Sequence, residues 1–336
     1  RDYYASRGLG DVYKRQMLMK TMVIGCGRWG TFIAWYLNYV KQEVILYGRK
    51  DSKNMHQLLK NRKNEYLELP LNITLSNELG EVDRVNAIFI SVNAQGLEKL
   101  CQELNQFNLS GKIVVLCMKG MEASTGRRLS EIVEAVLGRD VHICVWLGPG
   151  HVQEYVRGIP NCMVIDSEDY KIKEQLIKEL SSDLIRFYYG EDLIGNEIGA
   201  ATKNVIGIAA GMLDGLGYTA LKGALISRGT REVSRLIEVM GGKAVSAYGL
   251  CHLGDYEATV FSKYSHNRIY GEDYVLGKEA SKLAEGVETV KAVYLLAKKH
   301  NIEMPICETV YSILYENAEP KKKLFGLFER SLKKEF

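Results

Sequence analysis

TMVIGCGRWGTFIAWYLNYV, Thr21 to Val40, is the stretch that decides the fold. Residues 21–24 make a short apolar strand that breaks at once into Gly25-Cys26-Gly27-Arg28-Trp29-Gly30, and residues 31–40 continue as an apolar helix. This is G-x-G-x-x-G in the strand–turn–helix setting that gives the motif its meaning. Gly25 permits the tight turn, Gly27 lets the backbone approach a pyrophosphate, and Gly30 allows helix and strand to pack closely. The amides at the helix start, around Arg28 and Trp29, then hold the anion. The expectation is a dinucleotide site for NAD or NADP. A second strand, residues 43–47, ends in Gly48-Arg49-Lys50. No acid stands there to hold a ribose 2′-hydroxyl, so Arg49 is either a 2′-phosphate contact or a solvated turn residue.

Outward from this unit, strands are expected at residues 73–75, 87–92, 112–118 and 142–147, with helical stretches between most of them. That alternation is the pattern of a doubly wound parallel sheet. Residues 161–166 and 184–189 read as two closing strands. Ligands in open α/β sheets sit at the carboxyl ends of strands, which draws attention to Lys119 and to Gly148-Pro149-Gly150-His151. From Asp192 onward the pattern is helical, with helices expected at residues 220–240, 243–248, 273–283, 286–300 and 309–316. No linker separates the halves, so they are expected to pack directly. The fold class is therefore α/β, a Rossmann-like doubly wound sheet followed by an all-α domain. The division expected is 17–190 for the dinucleotide domain and 191–336 for the helical one. Residues 1–16 read as a non-native or disordered tail, because DVYKRQ resembles a translated sequencing adapter; Met17 or Met19 is the expected start.

The first helix of the second half carries glycines at strict four-residue steps, Gly195, Gly199, Gly207 and Gly211, with Lys203 in the same row. A helical glycine costs about 1 kcal/mol against alanine, so four of them need a reason. They are read as clearing a face on which Lys203 stands without neighbouring side chains. Tight helix–helix packing is the competing reason.

Composition narrows the function. The 336 residues are 46% hydrophobic and 25% charged, with a net charge of +3, too slight to argue for nucleic acid. No apolar run reaches the ~18 residues of a membrane span, and stable membrane insertion is not expected. The basic, amphipathic segment 321–336 is expected to dock on the body through Leu324, Phe328 and Leu332. Seven scattered cysteines without a CxxC pair suggest reduced, buried thiols in a cytoplasmic protein and no metal site.

At this point several ordered motifs resemble one family, the bacterial-type NAD(P)-dependent glycerol-3-phosphate dehydrogenases. They are GCGRWGT, MKGMEASTGR, GAATKNVIGIAAGMLDGLG with LISRGTREVSRL, HLGD with a threonine four residues after the aspartate, SHNRIYG, AEG and IEMPICE. The resemblance implies reversible hydride transfer between NAD(P)H and dihydroxyacetone phosphate, giving sn-glycerol 3-phosphate for glycerophospholipid synthesis. It makes Lys203 the proton-transferring residue, with Asp255 and Thr259 beside it. It places Lys119 on both substrate and nicotinamide, and Asn204, Ser265, Asn267 and Arg268 at the substrate. Gly148 falls on a Gly-Pro loop and Glu285 on a late cofactor contact. A homodimer is compatible with it. Three positions depart from the pattern. Gly150 replaces a Ser or Thr, Val152 an alanine, and His266 the arginine of S-R-N-R. A histidine cannot reproduce the bidentate grip of arginine on phosphate, and if it takes that place it helps only when protonated. The competing readings are a related reductase of 2- or 3-hydroxy acids and a non-catalytic NAD(P)H sensor.

Overall fold

The computed structural model describes residues 18–279 and 284–331. The strands are β1 (Lys20–Ile24), β2 (Glu43–Tyr47), β3 (Thr74–Ser76), β4 (Ala87–Ile90), β5 (Ile113–Leu116), β6 (His142–Leu147), β7 (Asn161–Asp166) and β8 (Ile185–Tyr189). They form one sheet in the order β3-β2-β1-β4-β5-β6-β7-β8. The first six strands have the 3-2-1-4-5-6 order of a dinucleotide-binding sheet, with its crevice where β1 meets β4. Helices α1 (Arg28–Tyr39), α2 (Lys53–Asn61), α3 (Leu97–Leu104), α4 (Leu129–Leu137), α5 (Val152–Tyr155) and α6 (Tyr170–Leu180) connect them. The remaining helices are α7 (Leu193–Gly215), α8 (Lys222–Val239), α9 (His266–Val275), α10 (Glu285–His300), α11 (Pro305–Tyr315) and α12 (Pro320–Gly326).

The expected parallel sheet needs one correction: β6 and β7 run antiparallel, pairing Val145 with Asp166 and Leu147 with Val164. Their connection carries only the four-residue α5. That single turn is far short of the helix that ordinarily makes a parallel crossover. The chain instead turns through Gly148-Pro149-Gly150 and returns beside β6. Two helical expectations also shift. The helix placed at 273–283 is α9, His266–Val275, begun by Ser265, whose hydroxyl accepts from the Arg268 amide at 3.3 Å. Residues 280–283 lie outside the described residues. Leu324 is buried as expected, whereas Phe328 is 57% exposed, so it does not dock; Leu332 lies outside the described residues. Among the described residues, no helix is long and apolar enough to cross a membrane.

The glycine row of α7 is filled by protein. A Cβ on Gly211 would run into the carbonyl of Arg268, and one on Gly271 of α9 into the carbonyl of Ile208. Gly207 meets Thr259 and the Asn267 Cβ. Gly207 and Gly211 mark a close crossing of α7 with α9 and the turn before it, while Gly195 and Gly199 meet Ser246 and His252, and packing is the reading the structure supports. A methyl group at such a crossing forces backbone to move, at about 1–3 kcal/mol or more. Gly211→Ala is therefore expected to lower the thermal midpoint by several degrees. Gly223→Ala, where nothing lies within 4 Å, should be neutral or stabilising. Equal melting shifts for the two variants would contradict this account.

Two buried polar joints seat α7 on the sheet. Asp166, at the end of β7, accepts from the Asp192 amide at 3.0 Å and from Asn196 at 2.8 Å, and pairs with Lys173 at 3.2 Å. Glu197 accepts from Arg128 at 2.6 Å and from the amide and hydroxyl of Ser130 at 2.9 and 2.6 Å. Ala200 and Cys251 share a hydrophobic cluster with Ile24, Ile90 and Leu116 of the sheet, so the halves join through core as well. This anchoring holds Lys203, one turn further along α7, over the carboxyl edge of the strands.

Candidate active site

The turn after β1 is built as the motif requires. Gly25 has φ +113°, and a Cβ there would strike the carbonyl of Ser91 beyond β4. At Gly30 a Cβ would strike the carbonyl of Gly25. Around Gly27 nothing lies within 4 Å of where a Cβ would be, which leaves the cradle a pyrophosphate would fill. Trp29 packs on Phe32 at 5.0 Å between ring centroids, and Val152 is buried in the same cluster. Arg49 is exposed at the end of β2 and makes no ion pair among the described residues. The departure at Gly150 has a local cause. Its φ is +139°, and the Tyr155 ring occupies the space a side chain would need. Tyr155 in turn donates to the Pro149 carbonyl at 3.0 Å and stacks on Phe32.

Lys203 is not alone on its face, as the glycine row suggested, but sits in a cluster. Its Nζ lies 2.7 Å from Asp255 Oδ2 and donates to Thr259 Oγ1 at 2.7 Å. Lys119 donates to the same Asp255 oxygen at 2.6 Å and to the Gly148 carbonyl at 2.7 Å. Asp255 ends a 3₁₀ turn, Leu253–Asp255, and Thr259 lies in the π turn Glu257–Phe261 that follows. A single π turn is a common way to re-aim one side chain at a functional site. Burial pushes the Lys203 amine down to about 8, Asp255 opposing that shift and Lys119 adding to it. An amine near 8 can give a proton at neutral pH and take one slightly above it.

Buried polar atoms without partners mark where a ligand would complete the site: Asp255 Oδ1, Asn204 Nδ2 and His151 Nε2. Asn204 Oδ1 accepts from Asn267 at 3.0 Å, and Asn267 Oδ1 accepts from the Gly286 amide at 2.9 Å. That chain ties α7, α9 and α10 together beside Lys203. Half-buried Glu285 has its carboxyl raised by burial, against the pull of Lys119, Lys203 and Arg28.

His151 follows Gly148-Pro149-Gly150 directly, and its role is not legible in the sequence. Burial, then Arg28 and Lys203, push its imidazole down to about 4, so it is neutral and can donate or accept one hydrogen bond. Its place at the carboxyl end of β6 was the signal available in the sequence. His252, another residue without an assigned role, lies behind α7, with Nδ1 2.9 Å from the Gly199 carbonyl and Nε2 2.7 Å from the Tyr256 hydroxyl.

The substrate-loop residues divide. Ser265 caps α9, and Asn267 stands beside Asn204. Arg268 instead gives Nη1 to Asp214 and Glu272, each at 2.8 Å, and Nε to the Ser262 carbonyl at 3.2 Å. His266 Nε2 lies 3.4 Å from Arg28 Nη1. Arginine only donates, so in a hydrogen bond between the two the imidazole Nε2 is the acceptor. A separate cavity of about 470 Å³ opens in the helical half, lined among others by Leu213, Leu225, Arg231, Glu232 and Ile306; no predicted site residue lines it.

This geometry is accompanied by sequence likeness along nearly the whole chain. The profile of the NAD-dependent glycerol-3-phosphate dehydrogenase N-terminus matches residues 20–173, and that of the C-terminus residues 192–324. The glycerol-3-phosphate dehydrogenase [NAD(P)+] of Thermotoga sp. (strain RQ2) is 35% identical over 328 residues, covering 95% of this chain and 99% of that protein. The enzyme of the same description from Thermoanaerobacter sp. (strain X514) is 35% identical over 329 residues, covering 94% and 99%. The crystal structure of glycerol-3-phosphate dehydrogenase from Coxiella burnetii superposes with a TM-score of 0.87 at 28% identity, covering 93% of this chain and 99% of that one. These matches disfavour the hydroxy-acid reductase and sensor readings, and with both halves matched in order the chain belongs to the NAD-dependent glycerol-3-phosphate dehydrogenase family.

Proposed function

We propose that the chain reduces dihydroxyacetone phosphate to sn-glycerol 3-phosphate, reversibly, and so supplies glycerophospholipid synthesis. The observation that carries this reading is one buried carboxylate oxygen, Asp255 Oδ2, holding both Lys203 and Lys119 at the carboxyl edge of a dinucleotide-binding sheet. A bound nicotinamide dinucleotide supplies the hydride. Lys203 gives its Nζ proton to the alkoxide that forms at the ketone oxygen, and takes it back in the reverse direction. Asp255 and Thr259 hold the amine in place, and Lys119 adds positive charge where negative charge develops. Asn204 Nδ2 and His151 Nε2 offer hydrogen bonds to the substrate. We assign residues 17–190 to the dinucleotide and 191–336 to the substrate and the proton. Gly25, Gly27 and Gly30 form the cofactor cradle, with Trp29, Val152 and Glu285 at its edges. The seven free thiols suit a reducing compartment, and the cytoplasm is the location we assign. Assembly as a homodimer is the state to test by sedimentation.

The direct test follows NADH and NADPH oxidation by the purified protein with dihydroxyacetone phosphate against a panel of 2- and 3-oxo acids. Turnover with an oxo acid but not with dihydroxyacetone phosphate would overturn the assignment. Cofactor choice is separable. Arg49 stands exposed where an acid would select NAD, so NADPH is expected to serve at least as well as NADH. Arg49→Asp should raise the Michaelis constant for NADPH by about tenfold, one lost charge-assisted contact, and that for NADH far less. An equal response to both cofactors would leave Arg49 as a turn residue.

A further inference from the structure

Resting on dihydroxyacetone phosphate as substrate, a question of charge remains: with His266 in place of the family arginine, the substrate loop lacks the guanidinium that would hold a phosphate dianion. The nearby cations have distinct commitments. Arg268 is engaged by Asp214, Glu272 and the Ser262 carbonyl. Lys119 and Lys203 share Asp255 Oδ2. Arg28 makes no ion pair within 4.0 Å among the described residues, although its charge acts on the Glu285 carboxyl. It is the first residue of α1, yet its side chain reaches toward the other half of the molecule. Nη1 lies 3.4 Å from His266 Nε2, the first residue of α9, and the guanidinium carbon lies 5.8 Å from the centroid of the Tyr66 ring.

An independent feature marks the same place. Asn204 is 4% exposed, and its Nδ2 is a buried donor without an acceptor. Its Oδ1 is tied to Asn267, the second residue of α9. The idle donor is thus fixed beside the N-terminus of a ten-residue helix, where backbone amides and the helix dipole favour an anion. Arg28 reaches the same helix start through His266.

We propose that Arg28, lent by the dinucleotide turn, grips the substrate phosphate in place of the missing arginine, with His266 as the positioning residue that holds its guanidinium. The backbone amides of α1 stay available for the dinucleotide, while the side chain serves the substrate. The arginine has moved from one wall of the site to the other, and histidine fills the vacated position as an acceptor that arginine could not be. One donor of Arg28 is spent on His266 and another on Tyr66, which leaves donors for two phosphate oxygens.

The test compares wild type, Arg28→Met, His266→Arg and the double variant. Each is assayed for the Michaelis constant of dihydroxyacetone phosphate and, by nicotinamide fluorescence, for NADH and NADPH affinity. Arg28→Met is expected to raise the Michaelis constant by about tenfold to a hundredfold, with dinucleotide dissociation constants within about twofold of wild type. With unphosphorylated dihydroxyacetone the loss should shrink to less than about threefold, since the phosphate contact is absent. Adding His266→Arg to Arg28→Met should recover most of the affinity by restoring a guanidinium on the α9 side. Weakened dinucleotide binding with an unchanged Michaelis constant would overturn the proposal and give Arg28 to the pyrophosphate. So would an equal loss with dihydroxyacetone, or no recovery in the double variant. A wild-type protein inert toward dihydroxyacetone phosphate but active on another ketone would instead remove the substrate reading on which the proposal rests.

Discussion

Lys203→Met is expected to lower turnover by about 10²–10⁴-fold while leaving NADH and NADPH affinity nearly unchanged, because it removes the proposed proton donor and no part of the proposed dinucleotide cradle. Methionine keeps most of the side-chain volume, so packing beside Thr259 is preserved. Lys119 lies on the same carboxylate oxygen and is the obvious rival for the role. The two separate by pH. With the Lys203 amine near 8, reduction requires its protonated form and should slow as pH rises through about 8, while oxidation of glycerol 3-phosphate should quicken over the same interval. Lys203→Met should abolish both limbs. Lys119→Met should keep them but move them to higher pH, because Lys119 helps to lower the Lys203 pKa, and should lower turnover less than Lys203→Met does. Turnover above about a tenth of wild type in Lys203→Met, with the pH limbs intact, would assign the proton to another group.

Asp255→Asn should have the second largest effect, through charge with little change of shape. The carboxylate is 1% exposed and holds two ammonium groups, so neutralising it removes the ion-pair partner of both. Removing one partner of a buried pair costs about 3–5 kcal/mol, and a lower melting temperature is expected. Turnover should fall on the order of a hundredfold as Lys203 loses its orientation. The sign of the pH effect follows from the causes. Asp255 opposes the burial that lowers the Lys203 pKa, so its loss sends that pKa below 8. The limb on which reduction slows should therefore move to lower pH in Asp255→Asn, and the oxidation limb with it. A profile that stays at 8 would mean that Asp255 does not set the charge state of Lys203.

What could be read in the chain was local. The strand, turn and helix around Gly25–Gly30 are neighbours in sequence, and their steric demands appear directly in the residue types. Lys203 could be singled out because four-residue spacing puts residues on one face of a helix. What stands opposite that face could not. The glycines admit the α9 backbone at Gly211 and Gly271, whereas the lysine meets a carboxylate brought in by a separate turn. Spacing reports which side chains share a surface and is silent on what another element lays against it.

Local patterns in the chain were enough for the strand–turn–helix of the first half, the helical character of the second, and the kinds of residue available for hydride and proton transfer. Tertiary structure alone decided the reversal of β7 against β6, because strand direction depends on whether the connecting chain can travel back along the sheet. It alone set Lys119 against Asp255 across 136 residues and Arg28 against His266 across 238. Residue type gives each of these groups its charge and donors, but ionic and hydrogen-bond energies fall off within a few ångströms, so their roles exist only once folding sets the distances.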